Sequence, residues 1–298
     1  MRIVVIASNR RFADPAEPHR YVADGLQRIG HDVEVVSTHL AWPVWKGDAD
    51  LVVLWNGVKG ICGTMARRAR QAGAKVLVME RGFFDRMAHT QLDHQGFNHR
   101  ASWAARLVRP APPEGPERFR RLWGGEPTPV RPRESGYVLV LGQVTGDSQL
   151  DDSEIHHAGP LVRAVEDATP RDIDIRVRPH PLARPRPADS RAELIDGELA
   201  DAVGGARFVV TINSNAANEA LVWGCPVMAL GPSLYGIAGV ALQTHLADMA
   251  VAIRMMLDGW RPPREMTTNY LHHLACRQWS CNELAEGTVL QRLLADIP

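Results

Sequence analysis

At 298 residues, and with roughly 100–200 residues to a domain, the chain is long enough for two domains that bury their own cores. Its 34 Lys and Arg balance 34 Asp and Glu, so no bulk field draws it to nucleic acid or to an anionic membrane. Cys62, Cys225, Cys276 and Cys281 are scattered without a C-x-x-C pair, which points to free thiols in a reducing compartment. "MRIVVIASNRR" is too briefly apolar for a signal-peptide core, and no run approaches the ~18 apolar residues of a membrane span. The expectation is a cytoplasmic protein with no transmembrane segment.

Periodicity divides the chain into two similar halves. "RIVVIAS" (2–8) reads as a strand covered on both faces, and "YVADGLQRIG" (21–30) has helical spacing ending at Gly30. "VEVVS" (33–37), "DLVVLWNG" (50–57) and "AKVLVME" (74–80) follow as strands, with a helix over 60–73. Strand and helix in alternation imply parallel strands in an α/β layered domain. Residues 80–103 read as a polar loop after the fourth strand. From about 108 the texture turns to Pro, Gly and Arg without a period, a linker with one short helix. Residues 100–134 hold eight Arg and four Glu, most simply a solvated surface.

The pattern then restarts. "YVLVLG" (137–142) is a strand, 156–168 a helix, and "DIRVRPHP" (174–181) a strand running into a Pro-rich turn. A helix is expected over 190–203, a strand over 207–213, a helix over 215–224 and a strand over 226–230. Residues 239–259 read as one long helix or two short ones, and 268–296 as a helical tail. The expected domains are 1–125, 126–265 and a tail 266–298 packing back on them. Two open α/β domains form a cleft, and ligands sit outside the carboxyl ends of such strands. Gln143, Asp147, His180 and Ser214 all fall just after strands.

Neither half carries G-x-G-x-x-G or a Walker A motif, which argues against a dinucleotide dehydrogenase or a P-loop ATPase. "TINSNAANEALVWGCPVMALG" (211–231) places Asn213, Ser214 and Asn215 in a polar turn before a helix carrying Glu219. Free N–H groups there suit a phosphate; plain N-capping is the alternative. "RPHP" (178–181) aims His180 between two prolines, with Arg178 beside it to share an anion. Asp93, in "LDHQGFNH", is either a catalytic carboxylate or an ordinary turn residue. His94 and His99, and the "DID" at 172–174, are weak as metal ligands, and no metal site is expected.

Glu80-Arg81-Gly82-Phe83-Phe84, "LDHQGFN", "VLVLGQVTGD", "RPHP" and "NSNAANEALVWGCPVMALGPSLYG" occur in this order over about 80–236. Together they resemble the capsule polysaccharide synthesis family that contains the bacterial β-Kdo transferases. The resemblance implies the GT-B fold: two Rossmann-like α/β domains facing a cleft, acceptor-side first and nucleotide-sugar-binding second. It also implies a retaining, metal-independent glycosyltransferase that needs no cofactor beyond a nucleotide-sugar donor, CMP-Kdo or a UDP-sugar. Asp93 is then the nucleophile, while Gln143, Asp147, His180 and Ser214 hold the donor; Arg178, Asn215 and Glu219, read from the residues themselves, are expected at the same site. Two departures stand out. The first 79 residues match only in texture, and Arg178 replaces the Lys that often precedes the H-P pair. A glycan is the implied acceptor; a modified DNA base and peripheral membrane association stay open. The rival functions are a UDP-sugar 2-epimerase-like enzyme and a non-catalytic sugar-nucleotide-binding subunit.

Overall fold

A computed structural model describes residues 1–38, 48–182 and 189–298. The chain divides into two compact units: Met1–Ala104 with Leu274–Pro298, and Ala105–His273. The exchange thus falls earlier than the expected 125/126, and the helix Gly115–Trp123 belongs with the second unit. That helix packs there through Phe119 against His272 and through Gly115, whose hydrogen faces the His272 backbone.

The first unit begins with β1 (Arg2–Ala7), β2 (Asp32–Ser37), β3 (Leu51–Trp55), β4 (Lys75–Arg81) and β5 (His89–Asp93). β1 lies between β2 and β3, and β3 pairs with β4, all parallel. β5 then runs antiparallel to β4. This strand lies inside the stretch expected to be loop. It escapes the eye because H-T-Q-L-D lacks an apolar run, yet its last four residues are buried. Alternation along β1, β3 and β4 sends one set of side chains to each face. Val4, Ile6, Val52 and Leu54 pack with Met65 and Ala69 of the helix Gly60–Gln71. Ile3, Val5, Val53 and Met79 pack with Val22 and Leu26 of the helix His19–Arg28.

The second unit contains β6 (Tyr137–Leu141), β7 (Ile175–Arg178), β8 (Glu193–Leu194), β9 (Ala206–Thr211), β10 (Val227–Ala229) and β11 (Leu242–Gln243). They form one parallel sheet in the order β11-β10-β9-β6-β7-β8. Val138, Val140, Phe208, Val210 and Met228 pack against Leu161 and Val165 of the helix Ala158–Ala168 and Ile253 of the helix Met249–Leu257.

Two expected helices are corrected here. Residues 190–203 supply β8, and the helix is confined to Leu199–Gly204. Arg191 donates to the carbonyls of Thr169 and Ile173, which holds this segment extended beside β7. Residues 239–259 supply β11 and a short 3-10 turn before the helix Met249–Leu257. The Pro-rich turn after Pro181 lies, over 183–188, outside the described residues.

The C-terminal helices do pack back, on the first unit. After the helix Arg264–Ala275 come β12 (Trp279–Ser280), antiparallel to β5, and the helices Cys281–Glu286 and Thr288–Ala295. Leu284 and Leu290 are fully buried against the His19–Arg28 helix. Gly25 makes that approach possible, because a Cβ there would collide with the Leu284 carbonyl. Among the described residues no helix is long and apolar enough to cross a membrane.

Candidate functional site

In the second sheet the chain starts at β6, steps outward through β7 and β8, then returns to β9 on the other side of β6. The strand order reverses between β6 and β9, and the crevice outside their carboxyl ends is where open α/β sheets bind ligands. The turns after β6, β7 and β9 carry Gln143 and Asp147, His180, and Ser214 with Asn215. The structure brings these residues to one edge.

Gln143 bridges the reversal. Its Nε2 donates to Asn213 Oδ1 at 2.8 Å, and its Oε1 accepts from the Asn213 backbone N–H at 2.9 Å. Both side chains are buried, so the amide of Gln143 ties the end of β6 to the end of β9. Asn213 extends the tie, donating from Nδ2 to the carbonyls of Gln149 and Pro232 at 2.7 and 3.2 Å. In sequence Asn213 is only part of a polar turn; its pairing with a residue 70 positions away leaves no local signature.

Asp147 caps the short turn Ser148–Leu150, with Oδ1 accepting from the Gln149 N–H at 3.0 Å. It is partly exposed, and Oδ2 has no protein partner among the described residues. His180 Nδ1 accepts from the Leu182 N–H at 3.1 Å, which leaves the proton of the neutral ring on Nε2 as a donor. Gly142 lets the two turns approach: its hydrogen faces Pro179 Cα and the His180 nitrogen, where a Cβ would sit 3.3–3.4 Å away. Arg178 donates from Nε and Nη2 to the Gly197 carbonyl at 3.3 and 2.9 Å, so two of its donors hold the loop after β8.

The turn after β9 is satisfied largely from within. The N–H of Ser214 donates to Thr211 Oγ1, that of Ala216 to Ser214 Oγ, and those of Ala217 and Asn218 to the carbonyls of Ser214 and Asn215. The supply of free donors expected at this helix start is therefore reduced, and the following helix Ala216–Val222 is short. A buried chain fixes its position. Tyr270 Oη donates to Asn218 Oδ1 at 2.6 Å, Asn218 Nδ2 to Asn215 Oδ1 at 3.0 Å, and Tyr235 Oη to the Ser214 carbonyl at 3.2 Å. Burial raises the pKa of both tyrosines, which keeps them hydroxyl donors. Glu219 is partly exposed on this helix.

Asp93 stands apart, in the first unit at the end of β5. Its carboxylate is buried and closes a loop. Oδ1 accepts from the N–H groups of Gln95, Gly96 and Ser102 at 2.8, 3.1 and 3.0 Å, and Oδ2 from Ser102 Oγ at 2.6 Å. The Arg81–Phe84 turn nearby in sequence has a structural anchor of its own. Buried Gln278 accepts from the N–H groups of Phe83 and Phe84 and donates to the Phe84 carbonyl. Among the described residues no three His, Cys, Asp or Glu side chains are grouped as metal ligands.

Residues 126–258, most of the second unit, match the family described as capsule polysaccharide biosynthesis protein. Protein FixF of Sinorhizobium fredii is 27% identical over 265 residues, covering 81% of this chain. The chain spans 62% of the length of that curated relative. Among solved structures, the beta Kdo 2,7 transferase of Thermosulfurimonas dismutans KpsC is similar with a TM-score of 0.62 at 16% identity, covering 98% of this chain and 100% of that one. The beta Kdo 2,4 transferase of the same protein gives 0.60 at 18% identity, covering 95% and 97%. At this identity the likeness shows the fold, the α/β GT-B fold that the motif resemblance implied.

Proposed function

We propose that the chain is a glycosyltransferase that takes a sugar from a nucleotide-sugar donor held by the second unit and passes it to a hydroxyl acceptor held by the first. The observation that carries this is the edge at the strand reversal, where Gln143, Asp147, His180 and Ser214 meet around a buried Gln143–Asn213 pair. The match of residues 126–258 to a capsule polysaccharide family supports a sugar-transfer reading of that edge. A rigid amide pair and a ring held by its own backbone are preorganised, so they stabilise developing phosphate charge without reorganising during reaction. His180 Nε2–H would meet the leaving phosphate. Ser214 and Asn215 would line the donor, with Glu219 behind them.

In a retaining, two-step transfer a carboxylate oxygen attacks the anomeric carbon, and the nucleotide leaves with the electron pair of the broken C–O bond. The acceptor oxygen then displaces the carboxylate and loses its proton. Motif resemblance gives the carboxylate to Asp93. The geometry favours a second assignment, Asp147. Among the described residues, the four hydrogen bonds of Asp93 all serve its own loop, whereas Asp147 Oδ2 is unpartnered and stands at the carboxyl edge proposed to hold the donor.

Thermal shift against a panel of CMP- and UDP-sugars identifies the donor, since a bound ligand raises apparent stability by mass action. Nucleotide release that requires acceptor supports transfer. Release or sugar isomerisation without acceptor favours an epimerase, and donor binding with no turnover favours a binding subunit.

A further inference from the structure

The first sheet has a charged carboxyl edge outside the donor site proposed above. β1, β3 and β4 are parallel neighbours there. Trp55 ends β3 and Arg81 ends β4. They share a face, because Trp55 lies opposite Met79 and Arg81 is two residues further on. Arg11 comes from the turn of helix Asn9–Ala13, directly after β1. Its guanidinium carbon lies 5.0 Å from the Trp55 ring centre and that of Arg81 lies 5.2 Å away, both within cation–π range. Buried His19 adds its ring at 5.6 Å.

The charges on this face do not cancel. Arg81 is paired with Glu17, Nη2 to Oε1 at 2.5 Å. Burial, then Arg11 and Arg81, push His19 down to about 4, so it is neutral near pH 7. Glu80 lies on the opposite face by alternation, where it accepts from Asn56 Nδ2 at 3.1 Å. Arg11 is exposed and has no carboxylate partner among the described residues. Among the described residues one cation therefore remains uncompensated, held on an aromatic ring at a strand edge of the kind that binds ligands.

We propose that this edge is an anion-recognition site, in which Arg11 seated on Trp55 binds a carboxylate or phosphate group carried by the acceptor. The word acceptor rests on the transferase reading; the anion site does not. Calorimetry on the full chain without donor tests it, with methyl glucuronide, the neutral methyl glucoside and inorganic phosphate as probes. The expected result is binding of the glucuronide, of phosphate or of both, with any bound glucuronide at least about tenfold tighter than the glucoside. Arg11→Ala removes the anion binding, Arg11→Lys keeps part of it, and the unfolding midpoint stays unchanged. Phosphate that binds alone, or displaces the glucuronide, identifies a phosphate-bearing acceptor. Glucuronide binding untouched by phosphate identifies an acidic sugar. Equal binding of glucuronide and glucoside without phosphate binding, no binding of either anion at millimolar concentration, or anion binding that survives Arg11→Ala overturns the site. Because no turnover is measured, Arg11-dependent binding in a chain that transfers no sugar keeps the site and removes the transferase reading. Sugar transfer without such binding does the reverse.

Discussion

At the carboxyl edge of the second sheet the polar groups answer one another. Gln143 and Asn213 exchange two hydrogen bonds, Ser214 and Asn215 absorb the N–H groups of their own turn, and tyrosine hydroxyls lock both from behind. The same edge of the first sheet is built from charge: Arg11 and Arg81 on Trp55, Glu17 on Arg81, and a neutral His19 beneath. A network of neutral amides fixes geometry and leaves a few groups free among the described residues, here Asp147 Oδ2. An incompletely balanced charge cluster selects by charge instead. The first suits a site that must place a reacting carbon, the second a site that must recognise what arrives.

The largest expected effect separates the two units as hosts of the chemistry. Asp147→Asn should lower turnover about a thousandfold, about 4 kcal/mol of barrier, with donor affinity within a few-fold of wild type. Asp93→Asn should stay within a few-fold. An amide oxygen still accepts from the N–H groups of Gln95, Gly96 and Ser102, and the amide nitrogen can donate to Ser102 Oγ. Single-turnover rates for both variants decide the matter. A large loss in Asp93→Asn with Asp147→Asn active would restore the motif-based assignment and place the nucleophile on the first unit.

Next comes the acid response of the charged edge. His19 is held down to about 4, first by burial and then by Arg11 and Arg81, against 6.5 when unfolded. The unfolded state therefore takes up the proton first as pH falls. The stability associated with neutral His19 is present above pH 6.5 and is lost as pH drops toward 4, by at most about 3 kcal/mol. Denaturant titrations of His19→Gln across that window should show a flatter slope than wild type. An unchanged slope would mean that His19 titrates normally.

The neutral edge should respond to loss of a partner instead. Gln143→Leu leaves the Asn213 N–H and Oδ1 buried without Gln143, which should destabilise the second unit by about 2 kcal/mol. A denaturant midpoint within error of wild type would show that water or a neighbour replaces the amide.

The contrast also explains what could be read from sequence. β1, β3, β4, β6, β9 and β10 are continuous apolar runs, and their buried alternation is local information. β5 is polar in composition, and β8, β11 and β12 are two residues each, so only their pairing partners define them. At the carboxyl edge of the second sheet, Gln143, Asp147, His180 and Ser214 follow strands, and that position is legible in the sequence. That Gln143 faces inward to Asn213 is not, because the contact spans 70 residues. In sequence Arg81 stands out only within the Glu80–Phe84 segment, and Arg11, His19 and Trp55 do not stand out at all. The four are spread over the first 81 positions with no common motif, and only the parallel pairing of β1, β3 and β4 gathers them.

The smallest effect concerns His180. It is partly exposed, so water competes for whatever its Nε2–H meets, and a hydrogen bond to a charged phosphate should contribute about 1.5 kcal/mol there. His180→Ala should then weaken donor binding roughly tenfold. Fold stability should hardly change, because the Leu182 N–H that loses Nδ1 belongs to an exposed residue that water can serve. His180→Asn refines the test, since its Oδ1 can still accept from Leu182 while the Nε2–H is gone. If Asn binds donor as weakly as Ala, the donor contact runs through Nε2. If Asn restores affinity, the ring acts by shaping the Pro179–Leu182 turn against Gly142. If both variants bind every nucleotide sugar as wild type does, His180 lies outside the donor site.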